Sequence, residues 1–163
     1  MLQWRQMRRQ DLAAVVTLAD WVHAKLPEDL RVFAERLDLF PPGCLVLDAG
    51  DHIAGYAVAH PWRMTGPPKL DTLIGRLPEP ADCLYIHDVA LDPAVRGQGA
   101  ATGAVERLLA LAQDYPAAAL VSVYGTTGYW ARFGFTDASG RIPAEALQPY
   151  GGDACWMVRM TPD

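Results

Sequence analysis

The chain has 163 residues, enough for one domain with a sizeable core, and 51% of them are hydrophobic against 20% charged. These proportions are those of an ordinary soluble protein, and no apolar run approaches the length of a membrane span. A net charge of −5 argues against a nucleic-acid partner and favours cationic small substrates.

Cys44, Cys83 and Cys155 are odd in number and far apart, with no Cys-x-x-Cys spacing. They fit buried thiols in a reducing compartment better than disulfides or a zinc site, so no metal is expected and the protein reads as cytoplasmic. Leu2–Arg8 alternates apolar and polar residues, the pattern of a half-buried strand. Arg5, Arg8 and Arg9 then precede an apolar run, Leu12–Ala19, rather as in a signal peptide. Asp11 and Asp20 flank that run and Thr17 interrupts it, which fits an amphipathic helix instead. Asp11 starts the helix, with Leu12, Val15, Val16 and Ala19 on one face. Pro27-Glu28-Asp29 opens a second helix, proline first and acids in the first turn, and Pro41-Pro42-Gly43 breaks it. Cys44–Asp48 and His52–His60 read as strands joined around Ala49-Gly50-Asp51. A proline-rich connection follows, with a short helix expected over Leu70–Leu77.

The next stretch carries the strongest chemical signal. Leu84–Leu91 reads as a strand, Asp92-Pro93 stops it, and Gly97 and Gly99 lie in a loop. Ala101, Ala104, Val105, Leu108, Leu109 and Ala112 then mark one buried helical face. A helix that begins just after a glycine loop offers unpaired N–H groups and a positive dipole end, a place that binds phosphate. The loop has no lysine for a Walker motif, and Thr102 stands where a dinucleotide fingerprint needs glycine. Beyond it, Ala117–Tyr124 supplies a strand, Thr126–Phe133 a short helix entering a strand through Gly134, and Ala154–Met160 a last strand.

Arg96-Gly97-Gln98-Gly99-Ala100-Ala101 resembles the Arg/Gln-x-x-Gly-x-Gly/Ala signature of the GNAT superfamily of acyl-CoA-dependent N-acetyltransferases. Val89-Ala90-Leu91 followed by Pro93 and Arg96-Gly97 resembles the superfamily's L-A-V-x-P-x-x-R-G run. Tyr129–Phe135 resembles its F-Y-x-x-x-G-F run, and the order β-α-α-β-β-β-α-β-α-β-β agrees over essentially the whole chain. The resemblance implies a single domain over residues 1–163, mixed α/β, with one mixed sheet, a splayed central strand pair and flanking helices. It implies acetyl-CoA as co-substrate and acetyl transfer to an amine, a small primary amine or a peptide amine, by direct attack on the thioester. A non-catalytic acyl-CoA-binding module is the alternative. Neither nucleic acid nor membrane is an expected partner, and a homodimer is left open.

Residue by residue, the resemblance makes the backbone N–H groups of Gln98, Gly99, Ala100 and Ala101 a pyrophosphate cradle, with Arg96, Gly97 and Thr102 beside them. The backbone groups of Val89 and Leu91 become free to bind pantetheine and thioester. His87 stands four residues before Leu91, where some members carry a histidine, and is the candidate base; the alternative is a histidine that hydrogen-bonds in a cleft wall. Strict alternation puts Tyr85, His87, Val89 and Leu91 on one face and Asp88 on the other, where it is structural unless the strand bulges. Where most members have an acid tyrosine this chain has Trp130, whose indole N–H is not a usable acid. Trp130 is expected to pack on the pantetheine, and Tyr129 and Tyr124 are the substitutes for the acid; alternatively they only pack, and the thiolate leaves unassisted or takes a proton from water. His23, His52 and His60 show no ligand spacing and read as surface or loop residues; Ser122 lacks a nucleophile elbow.

Overall fold

In the computed structural model, which describes residues 1–163, seven strands and four helices alternate as the hydrophobic periodicity predicts. The elements are β1 (Gln3–Gln6), α1 (Leu12–Val22), α2 (Leu30–Leu39), β2 (Cys44–Asp48), β3 (Ile53–Trp62), β4 (Cys83–Leu91), α3 (Ala100–Ala112), β5 (Ala117–Ser122), α4 (Thr127–Ala131), β6 (Thr136–Asp137) and β7 (Cys155–Met160). They form one sheet in the order β1-β2-β3-β4-β5-β7-β6, antiparallel except for the parallel pair β4–β5. On one face α3 buries Ala104, Val105 and Leu108 against Leu84, Ile86 and Leu120. On the other, α1 and α2 bury Val15, Phe33 and Leu37 against Val46, Tyr56 and Val58.

Two local features position the site. Pairing between β4 and β5 is confined to Leu84–Ala118, Tyr85–Ala119 and Ile86–Leu120, after which the strands part. At the same level β4 carries a bulge. Val58 faces Asp88 while Ala59 faces Ile86, so His87 is an extra residue with no opposite number on β3.

The bulge corrects the alternation expected from the sequence. An inserted residue flips the faces of everything beyond it. Val89 packs with Leu84 and Ile86 toward α3, whereas Ala90 packs with Tyr56 and Val58 toward α1. His87 and Asp88 therefore both point to the α1/α2 side.

Two further expectations change. The second helix begins at Leu30 rather than Pro27, with the Asp29 carboxylate accepting from the Arg31 N–H at 2.9 Å, which leaves Glu28 outside the helix. Residues 70–77 form no helix. Asp71 (φ 54°) and Gly75 (φ 78°) have left-handed backbone, and the N–H groups of Ile74 and Gly75 bond Glu35 at 2.8 and 2.9 Å instead of a helical carbonyl.

Candidate active site

A cleft of about 580 Å³ passes through the opening between β4 and β5. At its α3 end lies the glycine loop. Gly97 and Gly99 have φ of 78° and 73°, and a Cβ added at either would project into open space with nothing within 4 Å. No backbone carbonyl accepts the N–H groups of Gly97, Gln98 or Gly99, and Gly99 caps α3 in the left-handed conformation. These free donors meet the helix dipole of α3 at its N-terminus, so the residues present fit a bound pyrophosphate. Arg96 and Ala101 line the cleft beside them. The Thr102 N–H is already committed, to Gly99 O at 3.2 Å. Trp4 fixes the first turn from below, its Nε1–H donating to Ala100 O at 2.7 Å.

The register of β4 decides which backbone groups face the opening. Asp92 N–H donates to Ala54 O at 2.8 Å, which makes that opposed pair a hydrogen-bonded one. Antiparallel pairing alternates, so Ala90 also turns its backbone groups to β3, while Val89 and Leu91 turn theirs away. Beyond Ile86 no strand pairs with that edge. The N–H and C=O groups of Val89 and Leu91 thus point into the cleft, as the sequence reading requires.

Across the sheet from the loop, the α1/α2 side of the cleft holds two imidazole–carboxylate pairs. His87 Nε2–H donates to Glu28 Oε1 at 2.6 Å, with both side chains nearly buried. Burial opposes the Glu28 charge, but His87, by charge and by hydrogen bond, and the Asp71 N–H outweigh it and hold the carboxyl below its ordinary range. His87 Nδ1 is buried without a partner. In the second pair His23 Nε2–H donates to Asp88 Oδ1 at 2.9 Å, and the other Asp88 oxygen accepts from the Tyr56 hydroxyl. Burial opposes ionisation of Asp88 too, and His23 together with these hydrogen bonds keeps its pKa lowered.

Beneath His87 lies a further histidine. His60 is fully buried, its Nδ1–H donating to Pro61 O at 2.9 Å, and burial lowers its pKa to about 3, so it is neutral. Its ring centroid lies 6.4 Å from that of His87 and 5.6 Å from that of Tyr85. Leu70 lines the cleft, and the next residue, Asp71, is tied to the α2 entry: its N–H donates to Glu28 Oε2 at 3.0 Å and its Oδ1 accepts from Asp29 N–H at 2.7 Å.

The aromatic candidates are all brought to the cleft. Trp130 lines it but also packs in the core with Phe135, their ring centroids 5.8 Å apart. The Tyr129 hydroxyl is buried with no partner, and burial raises its pKa. Tyr124 stands at the end of β5 with its hydroxyl 3.0 Å from His23 Nδ1. His52, by contrast, is exposed and pairs only with its neighbour Asp51.

Three site residues escaped the sequence reading. His23 and His60 are not surface or loop residues but cleft wall and core respectively. For His23 a signal existed: it continues the α1 face at Ala19 + 4. Glu28 gave none, because an acid before a helix ordinarily serves the helix dipole.

A mixed sheet parted at its parallel strand pair, with an N–H cradle at the mouth of the opening, defines the class: an acyl-CoA N-acyltransferase fold. A model of the acetyltransferase (GNAT) family matches residues 6–135, and the chain belongs to that family. A search of curated proteins found no match. Among solved structures the chain is similar to Rv2747 from Mycobacterium tuberculosis in complex with CoA and NLQ (21% identity, 97% of this chain and 98% of that one, TM-score 0.71). It is similar also to the ribosomal-protein-S18-alanine N-acetyltransferase from Escherichia coli (16%, 100% and 96%, TM-score 0.67). A third is the GphF GNAT-like decarboxylase in complex with isobutyryl-CoA (19%, 98% and 100%, TM-score 0.74).

Proposed function

We propose that the protein transfers an acetyl group from acetyl-CoA to a small primary amine. The observation that carries this reading is the single cleft joining an anion cradle on one side of the sheet to the Glu28–His87 pair on the other. The CoA-bound structures similar to this chain support an acyl-CoA co-substrate. Leu70 lines the cleft and the next residue, Asp71, is tied to Glu28, a wall that favours a short acceptor over a peptide.

The bound thioester supplies the acyl carbon. The free N–H groups of Gly97–Gly99 and of the first turn of α3 hold the pyrophosphate, with Arg96 at the rim. The Val89 N–H, unpaired on the open edge of β4, donates to the thioester carbonyl oxygen and stabilises the charge that develops there. A primary alkylamine has a pKa near ~10 and arrives as an ammonium, which the Glu28 carboxylate attracts. It attacks only when neutral. The His87–Glu28 pair takes its proton, with Glu28 fixing the ring and balancing the imidazolium charge.

Trp130 at the usual acid position favours, as a second reading, a module that binds acyl-CoA without turnover. Thiol release from acetyl-CoA with a panel of primary amines, with mass spectrometry of the products, separates the two. Amine-dependent release of CoA with an N-acetylated product supports transfer; CoA binding without release supports the module.

A further inference from the structure

Tyr124 and Asp71 are the non-glycine residues with left-handed backbone, and Tyr124 has φ 58°. For a tyrosine this is strained backbone, and it persists only where the surroundings impose it. Here they do. The Tyr124 ring stacks on His23, centroids 5.7 Å apart and planes 16° apart, and its hydroxyl meets His23 Nδ1 at 3.0 Å. His23 Nε2 donates in turn to Asp88, which Tyr56 holds from the other side. A hydroxyl, an imidazole and a carboxylate are thereby strung together from the ends of β5 and α1 and from the bulge of β4.

This chain of groups borders the opening itself. Val89 lies on one bank, Val121, Val123 and Tyr124 on the other. Tyr124 is 50% exposed and lines the cleft there. On α4, meanwhile, position 130 is a tryptophan that cannot deliver a proton.

We propose that Tyr124, His23 and Asp88 form the relay that protonates the departing thiolate, supplying the acid that position 130 lacks. The inference rests on the acyltransfer reading above. As the nitrogen–carbon bond forms and the carbon–sulfur bond breaks, the electron pair of the latter goes to sulfur, which takes the phenolic proton of Tyr124. The phenolate oxygen takes the Nδ1 proton of charged His23, and Asp88 stabilises that charge beforehand. Neutral His23 regains a proton from solvent, and the proton of the amine leaves on the His87 side. One amide and one thiol result.

The electrostatics agree. Burial works against a charged His23 and the Arg96 charge adds to that, but Asp88, by charge and hydrogen bond, and Glu28 outweigh them and raise its pKa. Burial and the carboxylates of Asp88 and Asp153 raise that of Tyr124, which keeps its proton. The relay is loaded below the raised pKa of His23 and empties as pH rises through it.

The test uses purified protein, acetyl-CoA and the panel amine that gives fastest thiol release. Tyr124→Phe keeps the stacked ring and removes only the hydroxyl, so it retains the fold; His23→Gln is checked by circular-dichroism melting. In both, kcat falls about 10²-fold while KM for acetyl-CoA stays within about threefold. The alkaline decline of kcat in the wild type, set by His23, is absent from His23→Gln. Wild-type kcat and an unchanged alkaline decline in both variants overturn the relay alone. A wild type that releases no thiol with any amine overturns the acyltransfer reading and the relay with it.

Discussion

Replacing Gly99 by valine separates what the loop does for the fold from what it does for a ligand. Gly99 has φ 73°, and a Cβ there meets nothing within 4 Å. In the free protein the substitution therefore brings no clash, only the penalty of left-handed backbone, about 1–2 kcal/mol and toward the upper end for a β-branched residue. For a chain of this size each kcal/mol moves Tm by about 2–4 °C, so Tm falls by roughly 2–8 °C and the protein stays folded. Binding suffers far more, because the side chain occupies the space a pyrophosphate needs. Losing two N–H bonds to phosphate, each about 1.5–3 kcal/mol, weakens Kd by about 10²–10⁴-fold. Gly75 is the control: it has φ 78° and equally open space but lies on the connection tied to α2. Gly75→Val matches the Tm loss and leaves CoA affinity unchanged. Calorimetry that finds Gly99→Val binding CoA as the wild type does would refute the cradle.

Trp130→Ala removes a core aromatic as well as a cleft wall, and loses about 3–5 kcal/mol of stability, read as a lower denaturation midpoint. Trp130→Phe keeps most of the packing and most of the CoA affinity. His87→Ala lowers kcat/KM by about 10²–10⁴ at neutral pH, and its deficit relative to the wild type narrows at high pH, where more amine is neutral; acetyl-CoA affinity barely changes. Glu28→Gln keeps an acceptor for His87 but loses its charge, and lowers kcat/KM by about 10–10² with a KM for the amine that rises. An unchanged amine KM would show that Glu28 does not attract the acceptor. Asp11 accepts from Arg5 at 2.8 and 3.0 Å, and that pairing, more than burial opposes it, lowers its pKa. Asp11→Asn loses about 1.5–3 kcal/mol at neutral pH. Because the folded-state pKa is the lower one, the difference from wild type shrinks as pH falls below about 4 and vanishes once the carboxylate protonates in both states.

The order of strands and helices was legible because each element carries its period: the α3 face at Ala101, Ala104, Val105 and Leu108, the alternation of β1, the apolar run of β5. The glycine loop was legible because Gly97 and Gly99 mark left-handed backbone and the helix after them supplies the dipole. What pattern cannot show is a single inserted residue. The bulge at His87 leaves no mark in the hydrophobicity of Leu84–Leu91, yet it moves Asp88 to the side of His87 and so assembles the second imidazole–carboxylate pair. Glu28 was equally hidden, since its partner lies 59 positions away and only the tertiary fold joins them. The connection after Trp62 failed as a helix because Glu35 and Arg36, from α2, claim its backbone groups.

The measurement closest to the central claim is the pH dependence of thiol release from acetyl-CoA by the wild type, with and without a primary amine. The account predicts release that requires the amine, yields the N-acetylated product, and follows a bell: rising with pH as the amine loses its proton, falling as His23 loses its own. CoA that binds in the cleft while no amine provokes release, at any pH, would contradict it.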